Sequence, residues 1–260
     1  AIMTKVGIYA ILRVYPLVFG DEAGELANLG MDWLFPIALA TLAMGVIGAL
    51  GSGSLKTLVA WQVIISVGTL LAPISLGSEA GLSAALFYML STTWTVGGLF
   101  LVSELIANQR GSANDRIITA PRMHNRTFLS VLFLIGAVAA AGLPPLSGFI
   151  GKLLILQSVE PGFEMAWLWS VLLVGSFLTI IAYSRAGSIV FWRTVDGHLE
   201  KPDPLNGRIS VAAGALTALA IVLVVFAGPI TRYTDATAEQ LHNNNAYIEI
   251  LQMPMVGEDD

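Results

Sequence analysis

Long apolar runs alternate along this chain with short polar segments that carry most of the charged residues. The apolar runs fall at about 1–19, 32–51, 55–75, 80–107, 127–157, 164–192 and 209–230. Runs near 20 residues match a hydrocarbon core of about 30 Å at about 1.5 Å per helical residue, and longer runs imply tilt or interruption. The pattern predicts an all-α integral membrane protein with about seven transmembrane helices.

Composition supports this prediction and excludes several kinds of site. The 260 residues are 55% hydrophobic and 12% charged, whereas soluble domains are about 25% charged. The absence of cysteine excludes disulfides, cysteine metal sites and thiol nucleophiles. The three histidines, His124, His198 and His242, fall in polar stretches, so we expect no metal or other cofactor. Without a basic stripe, nucleophile–base spacing or phosphate-binding loop, we expect neither nucleic-acid binding nor an enzyme.

The fifth apolar run is interrupted near its centre by Pro144 and Pro145, with Gly142, Ser147 and Gly148 around them. Prolines remove backbone donors and clash with the preceding turn, so a continuous helix cannot pass. About 14 residues precede the break and about 12 follow, so neither part spans the bilayer alone. We predict one interrupted span whose freed backbone groups line a cavity. Two short helices joined by a surface turn are the alternative.

Lysines and other polar residues inside the apolar runs are the candidate functional residues. Lys152 stands one turn beyond the break, and Lys5 lies in the first run. A lysine deep in a membrane segment is a functional-site candidate by default, although Lys152 could instead snorkel to the interface. Hydroxyl groups could simply bond carbonyls of their own helix, and Gln62 could serve helix packing. The candidates for lining a pathway are Gln62, Ser66, Thr92, Pro144, Pro145, Ser147, Tyr183 and Arg185.

Charged loops set the expected orientation. Basic residues concentrate between the fourth and fifth runs and after the sixth, which the positive-inside rule places in the cytoplasm. We therefore expect a transmembrane domain over 1–232 and an extracytoplasmic tail over 233–260. Glu104 either pairs with Arg110 or is solvated, and we favour solvation. Because the chain opens directly into an apolar run, we expect the first helix to be truncated and upstream segments to be missing.

Three stretches resemble the antiporter-like membrane subunits shared by complex I and Mrp-type cation/proton antiporters. They are Lys5-Val6-Gly7-Ile8-Tyr9-Ala10-Ile11-Leu12-Arg13, Leu55-Lys56-Thr57-Leu58-Val59-Ala60-Trp61 and Gly142-Leu143-Pro144-Pro145-Leu146-Ser147-Gly148-Phe149-Ile150-Gly151-Lys152. The resemblance covers nearly the whole chain, and the third stretch is the most specific. It implies the C-terminal half of such a subunit, containing the second of two inverted five-helix repeats with flanking helices.

The resemblance also implies roles for individual residues. Lys5 matches the central-axis lysine that relays protons, and Lys152 matches the terminal charged residue of the interrupted helix. Lys56 matches a lysine at a helix start, for which we favour a structural or interfacial role. Complex I relatives often have histidines where this chain has Ser66 and Thr92, so a proton path here must either use hydroxyls and water or follow a different route. These departures make the chain look more like the D-type subunit of an Mrp antiporter.

We therefore expect a proton-translocating subunit of a multi-subunit Na⁺ or K⁺:proton antiporter in the bacterial inner membrane. Its expected partners are other membrane subunits of the same complex, protons, monovalent cations and lipid. A desolvated ammonium is destabilised relative to the neutral amine, which is why buried lysines suit a proton relay. The alternatives are a proton-pumping subunit of a complex I-like NADH:quinone oxidoreductase and a scaffold that transports nothing.

Overall fold

The apolar runs fold into helices whose ends fall at the polar segments. The structure, a computed structural model, describes residues 2–19, 30–195 and 205–242. Lys201, His198 and the tail from residue 243 onwards lie outside these ranges, and so do the side chain of His242 and the first residue. The helices in the described ranges are α1 (Ile2–Phe19), α2 (Met31–Leu50), α3 (Leu55–Ser75), α4 (Glu79–Gln109), α5 (Arg126–Ala141), α6 (Ser147–Gln157), α7 (Phe163–Gly187), α8 (Gly207–Val225) and α9 (Ala227–His242).

The predicted helical membrane architecture is confirmed, including the interruption at Pro144-Pro145. Among the described residues, α2, α3, α4, α8, and α7 with the π-helical turn Ser188–Trp192 that extends it, are long and apolar enough to cross a membrane. The interrupted run forms two shorter apolar helices, α5 and α6. The last predicted run divides at Phe226, between α8 and α9. The domain boundary expected at residue 232 therefore falls inside α9.

Helix α4 is the central element of the bundle. It packs against α3, α5, α6, α8 and α9, while α2 packs against α3 and α7. Glycines permit the close approaches. A Cβ on Gly68 would lie 2.5 Å from the Leu42 backbone nitrogen, and one on Gly151 would lie 2.9 Å from the Tyr88 ring. Small residues allow such backbone contacts between membrane helices, so α3 and α6 lie directly against their neighbours.

The basic loop after α4 is organised by a buried arginine. Arg110 is 1% exposed and donates to the carbonyls of Asn114 at 3.1 Å, Arg116 at 2.6 Å and Ile118 at 2.5 Å. Burial lowers the pKa of its guanidinium, and the nearby Asp115 carboxylate opposes that shift. The loop then adds strand β1 (Ala120–Pro121), which pairs in parallel with strand β2 (Thr194–Val195) after α7. We call this end of the bundle the basic end.

The basic end also corrects the expectation for Glu104. The Glu104 carboxylate lies 2.7 Å from the Lys56 ammonium. Its ion-pair partner is therefore Lys56 and not Arg110, and the carboxylate is not solvated alone. The Lys56 backbone amide donates to the Asp115 carboxylate at 3.0 Å, in the first turn of α3. Negative charge is favourable at a helix N-terminus. Lys56 therefore takes part in a structural contact between α3, α4 and the loop.

Candidate functional site

The break leaves the end of α5 with carbonyl groups that the chain must satisfy. The last four carbonyls of an α-helix have no partner within the helix. Gly142, whose φ of 78° is left-handed, turns the chain so that its amide donates to the Val138 and Ala139 carbonyls. The Leu143 amide donates to Val138 at 3.0 Å, which completes a Schellman motif. The carbonyls of Ala140 and Ala141 are left for other parts of the protein.

Lys152 satisfies the second of these two carbonyls. Its ammonium donates to the Ala141 carbonyl at 2.8 Å and to the Ser176 hydroxyl of α7 at 2.8 Å. The side chain is 6% exposed and crosses Gly142, where a Cβ would lie 2.6 Å from the lysine Cδ. Since the C-terminus of a helix carries partial negative charge, the ammonium is held by a helix end and a hydroxyl. Within the described ranges, no carboxylate lies within ion-pair distance of it.

Gln62 of α3 satisfies the other carbonyl. Its Nε2 donates to Ala140 at 3.2 Å, and the side chain is 1% exposed. Its Oε1 has no hydrogen-bond partner among the described residues. Gln62, which precedes α5 in the sequence, and Lys152, which follows it, thus donate to adjacent carbonyls in the last turn of α5. Together they complete the hydrogen bonding of the helix end.

The first turn of α6 is fixed against α4 and α5. The Ser91 hydroxyl of α4 donates to the Ser147 hydroxyl at 2.9 Å, and both side chains are fully buried. Gly148 lies so close to α5 that a Cβ there would overlap the Ala139 carbonyl oxygen. These contacts set where α6 begins, and hence where Lys152 stands one turn later.

Lys5 is a second buried lysine, on α1. It is 4% exposed and shares the inner face of α1 with Ile8 and Leu12, which follow at helical spacing. Helix α1 packs against α3, α4 and α9. The Lys5 amine has no hydrogen-bond partner among the described residues. The bundle therefore buries two amines, one held by neutral oxygens and one without a partner in the described ranges.

Comparison with known proteins assigns the family. Residues 1–182 match the family described as NADH:quinone oxidoreductase/Mrp antiporter, TM. The chain belongs to this family. It is accordingly a multi-pass membrane protein, and the family resemblance seen in its sequence is confirmed.

Curated relatives in this family are antiporter subunits of the D type. The chain is 34% identical to the D-type subunit of a probable K⁺/H⁺ antiporter from Rhizobium meliloti (strain 1021), over 99% of this chain and 52% of the relative. It is 30% identical to the D-type subunit of a Na⁺/H⁺ antiporter from Bacillus subtilis (strain 168), over 96% of this chain and 49% of that protein. The chain thus spans about half the length of the curated relatives it matches.

Solved structures show the same fold. A chain of the Mrp complex from Dietzia sp. DQ12-45-1b superposes with a TM-score of 0.79 at 21% identity, over 94% of this chain and 52% of that one. A chain of respiratory complex I from Thermus thermophilus superposes with a TM-score of 0.76 at 24% identity, over 92% and 49%. This family member therefore has the helical architecture found in both complexes.

The structure brings some of the predicted pathway residues to the break and leaves others apart. Gln62 and Ser147 contact the break, whereas the Ser66 hydroxyl bonds the Val63 carbonyl of its own helix at 2.7 Å. Arg185 is exposed and donates to the Ser52 carbonyl at 2.8 Å, at the turn between α2 and α3. Its contact is therefore at the basic end. The Tyr183 hydroxyl is buried and has no hydrogen-bond partner among the described residues.

The two prolines form the break but face outwards. Pro144 and Pro145 are exposed on the surface of the described chain. A small cavity lies beside the last turns of α5, between α4 and α8. Thr95, Gly136, Ala139 and Thr217 are among its lining residues, and it has room for about one water molecule. The prolines thus shape the helix ends, and the side chains around those ends supply the polar groups.

Sequence reasoning missed several residues at the site. Ser176 is the hydroxyl partner of Lys152, and Ser91 is the partner of Ser147. Tyr88 of α4 is buried about one turn before Thr92, which is also buried, and its ring packs on the α6 backbone at Gly151. A signal for Tyr88 and Ser91 was present, because both lie within one turn of the predicted Thr92. Ser176 had no signal, since its neighbours in the sequence are apolar or glycine and nothing in the sequence relates it to Lys152.

Proposed function

We propose that this protein is a proton-translocating subunit of a multi-subunit monovalent cation (Na⁺ or K⁺):proton antiporter. Its chemistry is transport, with no covalent step. Protons pass through Lys152 and Lys5 along a path of hydroxyls and water near the membrane midplane. The observation that carries the proposal is the placement of Lys152, buried at the broken helix without a carboxylate among the described residues.

A lysine in this position is suited to gain and lose a proton. Burial disfavours an ammonium relative to the neutral amine. The Ala141 carbonyl and the Ser176 hydroxyl offset part of that cost when the proton is present. Both partners are neutral, so the amine that remains after the proton leaves is also tolerated. The broken helix thus supports both protonation states in one position.

Lys5 completes the relay in this proposal. Two ammonium groups inside one bundle repel each other, because charges interact strongly away from water. Protonation of one lysine therefore weakens proton binding at the other, and the two titrate as a coupled pair. That coupling would allow an event in a neighbouring subunit to drive a proton from one lysine to the next. The relatives that are D-type subunits of antiporters support this assignment.

The proposal includes the setting of the subunit. It lies in the bacterial cell membrane among other membrane subunits of the same complex, with lipid around its outer helices. The basic end faces the cytoplasm, and the tail over 233–260 faces outwards. The described helices form the second inverted repeat of an antiporter-like subunit with flanking helices.

The test compares two lysines of the same bundle in the complete antiporter complex. Lys152→Met keeps the length of the side chain and removes the ammonium, whereas Lys56→Met removes an exposed ammonium from the basic end. The assay is cation-dependent collapse of a pH gradient in inverted vesicles that contain matched amounts of assembled complex. We expect Lys152→Met to abolish exchange and Lys56→Met to retain it. Exchange at the parental rate in Lys152→Met would leave the scaffold role as the better assignment.

A further inference from the structure

Thr95 of α4 carries a buried hydroxyl that the described residues leave unpaired. Its side chain is 5% exposed, and its hydroxyl makes no hydrogen bond within the described ranges. Other hydroxyls of the same helix bond a carbonyl one turn earlier. The Thr93 hydroxyl donates to Met89 at 2.6 Å, and the Ser103 hydroxyl makes the same kind of bond at 2.7 Å. Because the interior of a membrane bundle offers no bulk water, an unpaired hydroxyl there is costly. Thr95 therefore needs a partner from outside the described chain.

The unpaired hydroxyl lines the small cavity between α4, α5 and α8. This cavity has room for about one water molecule. None of its lining residues in the described ranges carries a charge. Burying an ion without a counter-charge costs far more than burying a neutral polar molecule. The space therefore suits a water molecule and not a cation.

Thr217 of α8 supplies a second hydroxyl to the same cavity. Its proton is donated to the Ala213 carbonyl of its own helix at 2.9 Å, so its oxygen is left to accept. Thr217 stands against Gly98, where an added Cβ would lie 3.8 Å from the hydroxyl oxygen. Gly98 follows Thr95 by three residues and so shares its face of α4. The two hydroxyls therefore reach one cavity from opposite helices.

We propose that this cavity is a water-binding site in which a single water molecule bridges Thr95 and Thr217. The water donates one hydrogen bond to the Thr217 oxygen and forms a second with the Thr95 hydroxyl, which can donate or accept. Buried waters in proteins make about two to four hydrogen bonds, so two hydroxyls suffice. Ala139, whose carbonyl oxygen lies against Gly148 of α6, lines the same cavity. The water thus joins α8 to α4 beside the broken helix, whether or not the buried lysines carry protons.

The experiment is a double-mutant cycle on thermal unfolding of the complete complex. Thr95→Val and Thr217→Val each remove one hydroxyl and keep the shape of the side chain. Either change costs the water one of its two partners. We therefore expect each variant to unfold about 2–4 °C lower, the shift for loss of one hydrogen bond from a chain of this size. The double variant should lose no more than the larger single loss, because the same water is lost only once.

Thr93→Val is the matched control on α4, since its hydroxyl already bonds the Met89 carbonyl of its own helix. Its effect on the unfolding temperature should simply add to that of Thr217→Val. A density map of the parental complex that resolves ordered waters should show one between the two hydroxyls, and the map of Thr95→Val should not. The inference is overturned if Thr95→Val unfolds at or above the parental temperature, or if its effect adds to that of Thr217→Val. An empty cavity in the parental map, or equal coupling of Thr217→Val to Thr93→Val, would overturn it as well.

Discussion

Gly148 offers a direct test of how the break positions Lys152. It lies in the first turn of α6, against the last turn of α5. A Cβ at this position would overlap the Ala139 carbonyl oxygen and lie 3.0 Å from the carbonyl carbon. Because the obstacle is helix backbone and cannot rotate aside, Gly148→Ala must push α6 away from α5.

The size of that displacement sets the expected effect. A carbon and a carbonyl oxygen rarely approach closer than about 3.3 Å, so the helices must separate by roughly 1 Å or more. Such overpacking costs about 1–3 kcal/mol. The same shift stretches the 2.8 Å hydrogen bond between Lys152 and Ala141 beyond useful length. We expect exchange to fall about 100-fold, the effect that a misplacement of about 1 Å has in enzymes.

A second helical glycine provides the control. Gly214 lies within α8, and a Cβ added there would meet no atom within 4 Å. Because alanine is the better helix former by up to about 1 kcal/mol, Gly214→Ala should leave stability unchanged or slightly raised. Thermal unfolding of the purified complex and pH-gradient collapse in vesicles measure both variants. The reasoning is refuted if Gly148→Ala unfolds at the same temperature and exchanges at the same rate as Gly214→Ala.

Two further predictions concern the basic end. Arg110→Met removes three hydrogen bonds of about 1.5 kcal/mol each, and water replaces part of the loss, so we expect thermal unfolding to show a loss of about 3 kcal/mol. Arg116→Met, which removes an exposed arginine from the same loop, is the control, and equal stability of the two variants would contradict the role of Arg110. Lys56→Ala breaks a pair whose side chains are 44% and 40% exposed, so its cost should stay below about 1 kcal/mol and shrink in high salt. A loss of stability that persists in high salt would show that Lys56 does more than pair with Glu104.

The break could be predicted because its cause is local in sequence. Two prolines and neighbouring glycines prevent a continuous helix whatever surrounds them, and α5 and α6 end and begin beside them. The partners of Lys152 could not be predicted in this way. Ala141 acts through its backbone carbonyl, which every residue possesses, and Ser176 comes from another helix. The pairing of Glu104 with Lys56 likewise depends on how α3 and α4 pack.

Tyr88 and Tyr183 also show that contacts between helices could not be predicted from the sequence. Sequence singled out Tyr183 because it precedes Arg185 in a polar stretch, yet its hydroxyl has no partner among the described residues. Tyr88 drew no prediction because apolar residues surround it in sequence. Its ring nevertheless packs on the α6 backbone beside Lys152, where a Cβ on Gly151 would lie 2.9 Å from it. Helical periodicity predicts which residues share one face of a helix. It does not predict which groups of other helices contact that face, because those contacts depend on the tertiary structure.

The neutral surroundings of Lys152 favour a relay over a structural ion pair. A carboxylate beside a buried lysine would favour the charged form and hold its proton. A pair of that kind serves structure well, as the exposed contact between Lys56 and Glu104 does at the basic end. At Lys152 the Ala141 carbonyl and the Ser176 hydroxyl orient the amine without fixing its charge. The proton is then sensitive to charge elsewhere in the bundle, including that of Lys5, because such fields act strongly away from water. A site that must release a proton in response to a distant event therefore gains from having neutral partners.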